Sequence, residues 1–147
     1  MRKQVLFLCS LIAFIGIALN ANAQARTDVR DFVAAAKETG EQLERLLPSM
    51  QKDRKATAYV PIIESAIRLS ARVQQAGAGM SQKQYNGFQR ELAKIEADLN
   101  TQTTQEQTPH TCHGKCEADF PGKGGGKGWK RFWCKVACIK LGPISGQ

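Results

Sequence analysis

The chain is poor in the residue patterns that most enzymes need. Aromatic residues make up 7% of its 147 positions, and there are two histidines, His110 and His113. Neither histidine belongs to a His-Glu-x-x-His pattern, and Gly-x-Ser-x-Gly is absent as well. With no recognisable nucleophile–base pair, the expectation is a non-enzymatic protein that carries no cofactor. No stretch alternates apolar and polar residues as a half-buried strand does, so a sheet is not expected. Long apolar runs are equally scarce. The one present lies near the N-terminus, which excludes a polytopic membrane protein. The length leaves room for one domain and a small appendage.

The N-terminal run has the layout of an export signal. Arg2 and Lys3 supply a positive start, Val5 to Leu19 an apolar stretch, and Ala21-Asn22-Ala23 small residues at both positions read by signal peptidase. Residues 1–23 are therefore expected to be removed by cleavage before Gln24, giving a periplasmic or secreted protein. Cys9 leaves with them. Leu8 before it and its early position do not suit a lipoprotein cysteine. Cleavage takes two cations and no anion from a net charge of +8, leaving +6 and four cysteines. An even cysteine number in an oxidising compartment predicts disulfides.

Residues 24–100 read as an all-α, three-helix antiparallel bundle. Val29, Phe32, Val33, Ala36, Leu43, Leu46 and Leu47 form one stripe from about Thr27 to Leu47, which Pro48 is expected to end. Gly40 falls on that stripe, weakening the helix or admitting a close neighbour. Tyr59, Ile62, Ile63, Ala66, Ile67, Ser70 and Val73 make a second stripe, with Pro61 beginning or kinking it and Gly77 and Gly79 stopping it. Ser81 and Gln84 form a capping box ahead of Tyr85, Phe88, Leu92, Ile95 and Leu99. Short connections make neighbouring helices antiparallel. Residues 24–108 carry 12 cations and 11 anions, so this region is nearly neutral. Pairs such as Glu41/Arg45, and Arg90/Lys94 with Glu91/Asp98, read as a solvated face. Residues 101–109 are polar and end in Pro109, the composition of a linker.

Residues 110–147 are different in kind. They hold both histidines, both tryptophans, four cysteines, seven cations and two anions. The cysteines form two Cys-x3-Cys pairs, Cys112/Cys116 and Cys134/Cys138, separated by 17 residues that include the turn PGKGGGKG. Positions i and i+4 share a helix face. Two antiparallel helices would then link outer to outer, Cys112–Cys138, and inner to inner, Cys116–Cys134. The parallel arrangement would link Cys112–Cys134 and Cys116–Cys138, and bonds within a pair have poor geometry on a regular helix.

This twin spacing resembles the disulfide-stapled helical hairpins, among them the α-hairpinin defence peptides and the small chaperones of the mitochondrial intermembrane space. The resemblance covers about Thr111 to Leu141 and implies a stapled helical hairpin. It implies no particular function, and the bacterial-type signal argues against mitochondrial import.

On a helical wheel the cysteine side of the second hairpin helix is surrounded by Lys127, Lys130, Arg131 and Lys135. Trp129, Phe132, Trp133, Val136 and Ile139 lie opposite, forming an apolar docking face. That face either completes the bundle core or meets a lipid surface or partner protein. A metal site is the alternative use of His110, Cys112, His113 and Cys116, with Cys134 and Cys138 completing a zinc shell, but export favours disulfides. Haem attachment fails because Glu117 follows Cys116. The loop Gly122 to Gly128 resembles a phosphate loop, but Gly128 stands where Ser or Thr is required and no strand precedes it. It reads as a mobile turn.

These features predict an exported binding or interaction protein. Its hairpin would present Lys123, Lys127, Lys130, Arg131 and Lys135 to an anionic partner: lipid headgroups, a glycan or an acidic protein. The compartment makes nucleic acid an unexpected partner. The alternatives are a secreted antibacterial or toxin-like peptide carried by the helical region, and a structural assembly helper.

Overall fold

A computed structural model describes the backbone of residues 2–103 and 111–141 and the side chains of residues 23–103 and 111–139. The order is α1 (Arg2–Lys52), a single 3-10 turn (Thr57–Tyr59), α2 (Val60–Ala76), α3 (Gln82–Gln102), α4 (Cys112–Asp119) and α5 (Lys127–Leu141). The described residues contain no strand. Every described core residue lies at or beyond Val29. The side chains of residues 1–22, on which most of the expected export signal falls, lie outside the described residues. So do residues 104–109 of the expected linker and His110.

Helix α1 outruns its predicted end. Pro48 lies inside the helix, which continues to Lys52. The next apolar position explains this. Met50 extends the buried stripe of Leu43 and Leu46 and is itself 2% exposed. The Ser49 hydroxyl, next to the proline, donates to the Leu46 carbonyl at 2.7 Å. The turn after α1 is built on Asp53, whose carbonyl accepts from the amides of Ala56 and Thr57 at 3.0 Å.

Pro61 occupies the first turn of α2, where its missing N–H costs nothing. Gly77 caps that helix at φ +65°, and its amide donates to Val73. The Ser81–Gln84 capping box is complete, and α3 runs two residues beyond its expected end at Asn100.

The pairings α1/α2 and α2/α3 are antiparallel, as short connections require. Gly40 is the close-approach residue of the first pair. A Cβ there would overlap Ser70 Oγ, and the Ser70 hydroxyl donates to the Ala36 carbonyl of α1 at 2.7 Å. Arg72 and Glu91 bridge α2 and α3 at 2.6 Å, so Glu91 faces α2 rather than Arg90 and Lys94.

Helix α5 packs against both α1 and α3. Leu92 meets Gly128, Glu96 meets Arg131, and Asn100 meets Lys135, so α3 and α5 run parallel. Parallel neighbours need a crossover, and the short α4 lies within it. Disulfides Cys112–Cys138 and Cys116–Cys134 staple α4 to α5, with Cα separations of 6.0 and 5.7 Å. This is the antiparallel connectivity expected from the cysteine spacing.

Candidate functional site

The apolar docking residues of α5 meet the bundle itself. Trp129, Phe132 and Val136 are fully buried, and Trp133 and Ile139 are partly buried against the same core. Phe32 of α1 is the hub. Its ring meets Tyr85 edge-on at 5.2 Å and Trp129 at 6.0 Å, a geometry favoured by aromatic quadrupoles.

The cationic residues divide into two sets, and two of the five expected partner-binding positions need correcting. Lys135 is 0% exposed, and its Nζ donates to Glu96 at 2.7 Å, to Asn100 at 3.1 Å and to Glu117. Arg131 clamps Glu96 with two bonds of 2.7 and 3.0 Å and also donates to the carbonyls of Phe120 and Gly122. Both cations are consumed internally because a buried charge must be paired. Burial alone would raise the Glu96 carboxyl pKa, but hydrogen bonds from Arg131 and Lys135 outweigh it and hold the carboxyl below its ordinary value. The same bond to Glu96 raises Arg131, against the opposing effect of burial. Glu96 is the decisive residue that sequence reasoning missed. Its signal was its position: an acid one turn after Leu92, flanked by Ile95 and Leu99 on the apolar stripe.

Lys123, Lys127 and Lys130 are exposed around the glycine loop. That loop is clamped, which corrects the reading of it as mobile. The Gln89 side chain donates to the Lys123 carbonyl at 2.5 Å, and the Gly125 amide donates to Tyr85 Oη at 3.1 Å. A Cβ at Gly126 would come within 2.6 Å of Ala35 Cβ and 2.9 Å of the Asp31 carbonyl oxygen. The loop is glycine-rich because its backbone is wedged against α1.

Two open grooves flank this wedge. On the α1 side, Asp28, Asp31 and Glu38 line one together with Lys127 and Lys130. On the α3 side, the lining is Asn86, Gln89, Arg90, Ala93 and Lys123, without a carboxylate.

The alternative metal set does not hold together. Cys112 and Cys116 are both committed to disulfides. Among the described residues, no group of three or more His, Cys, Asp or Glu is placed to hold a metal ion. His113 is 1% exposed, and burial followed by the nearby Lys135 charge lowers its pKa. Its Nδ1 and the Trp129 Nε1 are buried without a hydrogen-bond partner.

Two disulfides suit an oxidising, non-cytoplasmic location. Among the described residues, no helix is long and apolar enough to cross a membrane. Comparison with protein-family models, curated proteins and solved structures finds no match to this chain.

Proposed function

We propose that the chain is an exported, non-enzymatic interaction protein, processed before Gln24, that meets an anionic envelope surface or acidic partner through the cations around its clamped loop. One observation carries this reading. The core takes the aromatic face and the Glu96 cluster takes Arg131 and Lys135, while Lys123 on the clamped loop and Lys127 and Lys130 in the first turn of α5 remain exposed. A fixed group of like charges raises the local concentration of an opposite partner, and added salt screens the attraction. The test replaces all three lysines by glutamine and measures retention of the processed chain on isolated envelopes at low and high salt. Retention should fall, and fall most at low salt. Unchanged retention would sink the proposal.

A second reading, the structural assembly helper, draws on the full burial of Trp129, Phe132 and Val136. Deleting residues 109–147 would strip α1 and α3 of that cover and should lower the stability of the remaining bundle sharply. Equal stability after deletion argues against a locking role. The toxin-like reading fares worse, because the aromatic residues it would insert into a membrane are already in the protein's core. Its release step predicts a free C-terminal peptide, and only intact residues 24–147 in the secreted material would dismiss it.

A further inference from the structure

The two grooves beside the glycine loop differ in sign, and that difference selects a surface. On the α1 side, Lys127 and Lys130 share their groove with Asp28, Asp31 and Glu38, so carboxylates of the same chain already offset their charge. On the α3 side, Arg90 and Lys123 share a groove with no acid. Lys123 is also the loop lysine whose backbone is anchored, through Gln89.

The α3 groove opens onto a longer feature. Lys83, Arg90 and Lys94 are all exposed. At about 100° per residue they fall within a sector of about 40° on α3. The first and last are separated by about 16 Å of helix. The other residues along this stripe are small: Gly87, Ala97 and Thr101. Of the carboxylates flanking it, Glu91 is turned to Arg72, and exposed Asp98 stands at the edge, one turn beyond Lys94. The stripe and Lys123 form a low, cationic ridge.

We propose that this ridge, Lys83, Arg90, Lys94 and Lys123, is the contact surface of the protein and that its partner is the phosphate layer of an anionic lipid surface. The inference rests on the anionic-partner reading above and commits it to one side of the loop. A plane laid along α3 meets Lys83, Arg90 and Lys94 together, with Lys123 beside Arg90 across the groove, whereas a single free phosphate reaches at most the two in the groove. The contact is peripheral, because Trp129 and Phe132 are buried and unavailable for insertion. Binding of this kind grows by roughly fivefold for each cation at the surface and weakens with salt.

The test is co-sedimentation of the processed, oxidised chain with vesicles of phosphatidylglycerol and phosphatidylcholine, compared with vesicles of phosphatidylcholine alone. Lys83→Gln/Arg90→Gln/Lys123→Gln should lower binding to the anionic vesicles by about a hundredfold and leave the melting temperature unchanged. Lys127→Gln/Lys130→Gln should change it several-fold less. If the second pair abolishes binding and the first set does not, the ridge is overturned while the anionic-partner reading stands. Binding to an acidic glycan or protein without vesicle binding likewise overturns the ridge alone. If nothing anionic is bound, both fail. Inorganic phosphate, titrated while the amide resonances of Arg90 and Lys123 are followed, separates the two phosphate sources. Saturable binding of free phosphate as tight as vesicle binding would make the groove a pocket and overturn the surface.

Discussion

Helices α2 and α5 both complete the core around α1, but by different means. Helix α2 rests on α1 through apolar side chains and one close approach, Gly40 beneath Ser70. Helix α5 brings three fully buried apolar residues, a buried ion cluster and two disulfides. The connections account for the difference. A short turn at Asp53 already delivers α2 antiparallel to α1, so packing has only to select the register. Helix α5 is parallel to α3 and reaches its slot by a crossover, so its position must be specified by side chains. Lys135 in the wrong register would be a buried charge without a partner, which penalises misdocking more than a slipped leucine would. In this protein, polar specificity is concentrated where chain connectivity gives the least help.

Substitutions in α5 should therefore cost more than those between α2 and its neighbours. The largest effect is expected at Trp129. Trp129→Ala should cost about 3–5 kcal/mol in denaturant unfolding. Trp129→Phe should cost much less, since it removes an indole N–H that has no partner. Lys135→Met should cost about 3 kcal/mol, because it leaves Glu96 and Glu117 sharing Arg131. By comparison, Arg72→Ala, which breaks the exposed pair with Glu91, should cost under about 1 kcal/mol. Equal costs for those two ion pairs would contradict the contrast. Removing the inner disulfide with Cys116→Ala/Cys134→Ala should cost about 2–4 kcal/mol. On the other side of the core, Gly40→Ala should cost about 1–3 kcal/mol from overpacking against Ser70.

Acid should act first through His113 and then through Glu96, and this is the smallest effect. The folded-state pKa of His113 lies below its ordinary 6.5, so its contribution is full above about that pH and falls as the unfolded chain takes up the proton. The Glu96 contribution is full above its ordinary 4.5 and falls as pH drops towards the lower folded value. Unfolding free energy measured from pH 8 down to 4 should show both limbs, and His113→Gln should flatten the first.

The helices and the staple connectivity were legible because each is a local or near-local pattern: a 3.6-residue stripe, a capping box, a Cys-x3-Cys face. Gly40 was legible as a close-approach site because it interrupts an apolar stripe. The fate of Arg131 and Lys135 was not. A helical wheel places a cation on a face but is silent on the acid opposite, and Glu96 lies 35 residues before Arg131. The clamped loop was hidden for the same reason. Glycines in a turn look permissive until α1 is known to lie against them. Pro48 misled because local propensity counted for less than the burial of Met50.

The hairpin belongs to the bundle core rather than hanging from it. Native-state hydrogen exchange of the oxidised chain tests this most directly. If α5 is a wall of the core, the slowest amides of α5, around Phe132 and Val136, should exchange with the same free energy as those around Leu43 in α1 and Leu69 in α2. Exchange of the α5 amides at a clearly lower free energy, with α1 and α2 still protected, would contradict it.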